Sequence, residues 1–282
     1  MNYKRKYMTI LVPTDFSKLS KVAVLYAWQI AKKLKADIIL LAVINAASSS
    51  RALPKWKRLE EEMVVMAKND AEQLISEIKK EIKGKIEISY RYILGFPVED
   101  MIETFVTDNG VDMIVMGTKG ATGLKKVVMG SNAAAVIDNS SVPVIAIPEN
   151  AEFKTISKIA YASDLFNLHE EIKTVALFAR LFDATVQVLH ILPADSAKKV
   201  DKTMETDLIK ISKYQKIAYH VLRNDSIVDA LNTYIIDEQV DMLAMFTHKL
   251  DFYEKLFGKS VTRQLTFHAQ VPLITFNKTT LL

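Results

Sequence analysis

The chain alternates short unbroken apolar runs with longer stretches in which apolar residues recur every third or fourth position. Runs of the first kind read as buried strands, the second as amphipathic helices. Met8-Thr9-Ile10-Leu11-Val12 is the first strand and closes at Pro13-Thr14-Asp15-Phe16-Ser17. Asp15 or Ser17 is placed to cap the next helix, whose apolar positions are Val22, Ala23, Tyr26, Ala27 and Ile30. Asp37 to Ile44 is a second strand without polar alternation, as expected where both faces are covered. A polar loop ends at Pro54, and a long charged amphipathic helix runs from about 55 to 83 and stops at Gly84. Lys85 to Ile93 is the third strand, Val98 to Asp108 a helix, and Val111 to Met116 the fourth strand. A glycine-containing loop, a helix from Ala133 and the strand Pro143 to Ile147 follow. Strands alternating with helices in this way predict a doubly wound parallel sheet.

The pattern then repeats. Lys158 to Asp164 aligns with Ile10 to Asp15, and ATVQVLHIL from Ala184 aligns with ADIILLAVI from Ala36. Ser226 to Leu231 echoes Pro97 to Ile102, Val240 to Met245 repeats Val111 to Met116, and Val271 to Ile274 repeats Val142 to Ile145. The boundary falls near Glu149 to Phe153, so two tandem α/β domains, 1–150 and 151–282, are expected. The first carries extra chain between its second and fourth strands, read as a longer second helix.

Composition narrows the classes. Half of the 282 residues are hydrophobic and 25% are charged, as in an ordinary globular protein. A net charge of +4 spread over both halves does not suggest a nucleic-acid binder. With no cysteine, disulfides, thiol catalysis and Cys-ligated zinc are excluded. No apolar run approaches the roughly 20 residues of a membrane span, so no membrane association and a cytoplasmic location are expected.

The chemistry concentrates in Gly117 to Asn132, GTKGATGLKKVVMGSN, between a strand and a helix. Gly117 and Gly120 are separated by two residues, and nine more precede Gly130-Ser131. A glycine leaving a strand permits a sharp turn, and a Gly-Ser opening a helix presents free N–H groups to an anion such as phosphate. The Walker pattern fails: Gly258-Lys259-Ser260 supplies its ending, but position 253 is Tyr. The G-x-G-x-x-G fingerprint is absent as well.

With this loop in this setting the chain resembles the universal stress protein family, whose nucleotide loop has a Gly, two residues, a Gly, nine residues, a Gly and then Ser or Thr. The resemblance extends over both halves. It implies two tandem five-stranded parallel-sheet domains, Rossmann-like and similar to the adenine nucleotide alpha hydrolases, in a pseudo-two-fold arrangement. Their last strands, near Pro143 to Ile147 and Pro272 to Phe276, would pair antiparallel. Family correspondence puts Asp15 near the adenosine end of a nucleotide, though a helix cap explains it equally well. Val43 and Met116 would line the adenine pocket or simply belong to the core. Gly117, Thr118 and Gly120 would approach ribose and phosphate, and Gly130, Ser131 and Asn132 would hold phosphates. Pro13, Thr14 and Asp15 leave the first strand where ligands of such sheets sit. Lys125 and Lys126 read as a solvated loop.

The second half departs from the pattern. Phe246 and Lys249 stand where Gly117 and Gly120 stand, the spacing to Gly258 is one residue short, and Phe252, Tyr253, Leu256 and Phe257 make the loop aromatic. This half reads as degenerate for nucleotide and leaves room for a protein partner. All five histidines, His169, His190, His220, His248 and His268, lie in it without a tight metal motif, so no metal site is assigned. The expected function is a cytoplasmic stress or regulatory protein that binds ATP, AMP or another adenine nucleotide in its first half, with Mg²⁺ on the phosphates. At most slow ATP hydrolysis is expected, since no positioned base, nucleophile or arginine finger is evident. A nucleotide-independent scaffold is the alternative. A glycine-rich loop after the first strand, as in adenylating enzymes, is missing. Either a monomer holding an internal pseudo-dimer or a homodimer fits.

Overall fold

The computed structural model describes residues 8–44, 54–82, 86–118, 131–148, 151, 153–198, 201–246 and 271–276, the side chains of 54–56 and 131 excepted. The described residues form two compact α/β units, one ending at residue 148 and the other beginning at 151.

In the first unit the order is β1 (Thr9–Pro13), α1 (Lys18–Leu34), β2 (Asp37–Ile44), α2 (Pro54–Glu81), β3 (Ile88–Leu94), α3 (Val98–Asn109), β4 (Met113–Gly117), α4 (Ser131–Asn139) and β5 (Val144–Ile147). The strands lie side by side as β3-β2-β1-β4-β5, and every pairing is parallel. Ile10, Leu11, Val12, Ile114, Val115 and the whole of β5 are buried, which explains their unbroken apolar runs. α1 packs beside α2, and α3 beside α4. Ser17 caps α1 by accepting the Ser20 N–H at 3.3 Å, and the helix stops at Lys35 in the left-handed region (φ 55°).

The second unit contains β6 (Lys158–Ala162), α5 (Leu168–Phe182), β7 (Thr185–Leu192), α6 (Met204–Ser212), β8 (Ile217–Arg223), α7 (Ile227–Asp237), β9 (Met242–Phe246) and β10 (Leu273–Phe276). Its strands run β10-β9-β6-β7-β8, again all parallel. The tandem α/β reading therefore holds, and the repeat extends to individual hydrogen bonds. Asp112 Oδ2 accepts the Thr9 N–H at 2.8 Å, and Asp241 Oδ2 accepts the Lys158 N–H at 2.9 Å. Each carboxylate thus ties the start of the unit's first strand to its fourth. The extra chain of the first unit lies in α2, 28 residues long against 9 in α6. Helix and strand ends shift by a few residues from the pattern-based reading: α2 closes at Glu81, β3 begins at Ile88 and β4 at Met113.

A crevice between two parallel strands

In each unit the chain builds outward from its first strand on one side, then returns to add its fourth strand on the other. Strand order reverses at that point, and a parallel sheet opens there at its carboxyl edge. The pairing register displays the opening. β1 pairs with β4 only at Ile10 and Leu11, opposite Met113 and Ile114. Both strands continue further with their outer neighbours, β1 to Pro13 opposite Leu41 and β4 to Gly117 opposite Ile147. Beyond the strands, the Thr14 N–H donates to the Leu41 carbonyl and the Thr118 N–H to the Ile147 carbonyl, both at 2.9 Å. The two carboxyl ends are thereby held by their outer neighbours, leaving a crevice between them.

One wall is the turn from Pro13 to Ser17. Phe16 takes the left-handed conformation (φ 61°), unusual for a side chain of this size. Hydrogen bonds from side chains hold it there: Thr14 Oγ1 accepts the Phe16 N–H at 3.0 Å, and Asp15 Oδ1 accepts the Ser17 N–H at 3.0 Å. The Ser20 hydroxyl donates to the same Asp15 oxygen at 2.7 Å. Asp15 is exposed, and this oxygen serves the turn, while Ser17 and not Asp15 caps α1. Behind the turn the Phe16 ring lies 6.2 Å from that of Tyr90 on β3. Tyr90 is raised above the usual phenol value, first by burial and then by the nearby Tyr92 and Asp70.

The other wall is the end of β4. Met116 is buried in the core, while Gly117 and Thr118 are half-buried at the edge. Val43 is half-buried near the end of β2. α4 starts at Ser131, and Asn132 is exposed in its first turn. Of the residues singled out in the sequence, Pro13, Thr14, Asp15, Gly117 and Thr118 are thus gathered at one carboxyl edge by adjacent strands. Gly120 and Gly130, with Lys125 and Lys126, lie outside the described residues, as does the Ser131 side chain.

The second unit repeats the turn and, one residue later, the early end of pairing: β6 leaves β9 after Tyr161, opposite Ala244, while each strand continues with its outer neighbour. Ser163 Oγ accepts the Leu165 N–H at 3.1 Å, Asp164 Oδ1 accepts the Phe166 N–H at 2.8 Å, and Leu165 is left-handed (φ 70°). Between the strands, however, Phe246 stands where the first unit has Gly117, and Tyr161 where it has Val12. Their buried rings meet edge to face at 5.9 Å, and Phe246 also lies 5.2 Å from Phe276. Aromatic bulk occupies the space that the glycine leaves open in the first unit.

A polar group has grown around those rings. The Tyr161 hydroxyl donates to the buried Glu171 carboxylate and lies 3.2 Å from Ser163 Oγ. Burial first, then the Glu171 charge and hydrogen bond, push Tyr161 well above the usual phenol value. His190 replaces Ala42 of the first unit. Its Nδ1 sits 3.2 Å from the Ser163 carbonyl and must therefore carry the proton, leaving Nε2 as a buried acceptor without a partner. Burial, the largest influence, holds His190 below the ordinary histidine range. Sequence reasoning missed this group because its members come from β6, β7 and α5, and no local spacing joins them. Comparison of the repeats, Val12 with Tyr161 and Ala42 with His190, was the available signal.

On the far face His220 Nε2 bonds Gln187 Oε1 at 2.8 Å, and His169 is exposed, while His248 and His268 lie outside the described residues. No group of three or more His, Cys, Asp or Glu capable of holding a metal occurs among the described residues. No helix among them is long and apolar enough to cross a membrane.

Comparison with known proteins agrees with this architecture. The model of the universal stress protein family matches residues 6–148 and 169–276, one segment in each unit. A universal stress protein of Methanocaldococcus jannaschii is 31% identical over 150 residues, spanning 52% of this chain and 85% of its own. The crystal structure of a universal stress protein from Archaeoglobus fulgidus aligns over 95% of this chain and 96% of its own, with a TM-score of 0.69 and 18% identity. Another from Archaeoglobus fulgidus, solved in complex with dAMP, aligns over 50% of this chain and 98% of its own, at 22% identity and a TM-score of 0.39. With the family model covering most of both units, the chain belongs to the universal stress protein family.

Proposed function

We propose that the first unit binds an adenine nucleotide in the crevice between β1 and β4, and that the protein acts through this site as a cytoplasmic stress or regulatory protein. The observation that carries the reading is the early end of β1–β4 pairing, with Gly117 on one lip and the Thr14–Ser17 turn on the other. A ligand entering there meets backbone rather than a side chain at Gly117, as close approach of ribose or phosphate requires. Family membership adds a role for Gly120 beside ribose and phosphate, and for Gly130, Ser131 and Asn132 in holding the phosphates. Asp15 offers a carboxylate edge to ribose hydroxyls or the adenine amine while holding its own turn. Val43 and Met116 supply apolar surface for the base. ATP is the preferred ligand, with Mg²⁺ carried on its phosphates rather than in a protein cage. Turnover, where it occurs, is slow.

The second unit is proposed not to bind nucleotide, since Phe246 and Tyr161 fill the equivalent space. The test is to denature the purified protein and identify released nucleotide by mass spectrometry, with its stoichiometry. About one adenine nucleotide per chain is expected. Two per chain would overturn the assignment of the Phe246 side. None, with no thermal shift on adding ATP and Mg²⁺, would favour a scaffold that works without nucleotide.

A further inference from the structure

The buried residues of α2 are Ala71, Leu74 and Ile78; toward its N-terminus the same face continues only half-buried, through Glu60, Val64 and Ala67. Its first turns nevertheless carry apolar side chains in register. Leu59, Met63 and Met66, spaced by four and three, form one stripe and are 43%, 38% and 64% exposed. The corresponding helix of the second unit, α6, has no such extension. An exposed apolar stripe beside that half-buried face is a cost that a partner would relieve.

We propose that this segment of α2 pairs antiparallel with the same segment of a second copy of this chain. The order of charges beside the stripe selects that occupant. At 3.6 residues per turn, Arg58 and Glu62 flank the stripe on one side, with Glu60 on the other. Two copies related by a two-fold axis bring like flanks together in reversed order. With Leu59 of one copy level with Met63 of the other, Arg58 faces the Glu62 position of its partner twice over. Within one copy the pair is separated by 3.4 Å and is solvent-exposed, so it gives up little on exchanging partners. On the opposite flank Glu60 meets its own copy, and that repulsion opposes the pair. Leu59 and Met63 from each copy, with Met66 beyond them, place the contact at the weak end of specific interfaces.

Sedimentation velocity from about 1 to 200 μM, the range of weak association, measures the pair. Reversible dimerisation is expected. Met63→Glu weakens it by about tenfold or more, and Glu60→Gln tightens it. The charge variants separate pairing between copies from pairing within a helix. Arg58→Glu and Glu62→Arg each fail to self-associate, yet an equimolar mixture of the two forms a heterodimer. Circular dichroism and the urea midpoint check that these exposed positions leave the fold intact. A wild type that stays monomeric over the whole range overturns the proposal. So does a dimer indifferent to Met63→Glu, or a variant mixture that does not associate.

Discussion

At the scale of single residues, Gly117 and Phe246 occupy matching positions with opposite effects. A missing side chain keeps the first crevice open, and a phenyl ring closes the second. Gly117→Val is expected to lower ATP affinity by about tenfold or more, with little change in the urea midpoint. Isothermal titration and a denaturation curve on the same sample check both halves of that statement. His190 makes a second test. Burial lowers its pKa from the ordinary value of 6.5 that it takes in the unfolded chain. Its contribution is therefore complete above that pH and is lost as pH falls toward the depressed folded value. The urea midpoint of the wild type should drop between pH 7.5 and pH 5, and His190→Asn should flatten the part of that fall owed to this ring. The glycine was legible in the sequence because its spacing lies along one segment. The environment of His190 was not, because Ser163 and His190 meet only when β6 and β7 are brought side by side.

Among elements, the strands were the easiest to read and the turns the hardest. β1, β2, β4 and β5 are covered on both faces, so their composition alone identifies them. The turn after β1 rests instead on Thr14, Asp15, Ser17 and Ser20 exchanging short-range hydrogen bonds, with Phe16 forced left-handed. Polar side chains announce a turn but not which oxygen takes which N–H, so Asp15 and Ser17 were equal candidates for the cap. Ser17→Ala removes the acceptor of the Ser20 N–H and is expected to cost about 1 kcal/mol, measured by urea denaturation. Because the same turn forms a lip of the proposed site, this variant should also weaken nucleotide binding by more than a substitution at the exposed Lys33 does. The pairing register of β1 with β4 had no signal in either strand: both are uniformly apolar, and nothing in their composition marks where they part.

For the whole molecule, duplication followed by divergence leaves one open crevice and one filled. Ligand binding to the folded chain stabilises it by mass action, about 2.7 kcal/mol at a hundredfold excess over Kd. A thermal melt with ATP and Mg²⁺ should therefore move upward in wild type and stay in place for Gly117→Val. The family and the tandem α/β architecture were readable from the glycine spacing and the internal repeat, because both persist in linear order. The length of α2 was readable as well, but not that its first turns would be only half-buried on one face and leave an apolar stripe exposed, since an amphipathic pattern does not say what covers it. Those turns also set where the native chain is first cut. Trypsin needs local unwinding of several residues around the bond, which is easiest where no buried side chain resists. Within the helices described here, Lys57, Arg58 and Lys68 are the sites expected to yield earliest, well before any in α1 or α5. Where two copies shelter one another, the rate of that first nick should fall as the protein is concentrated.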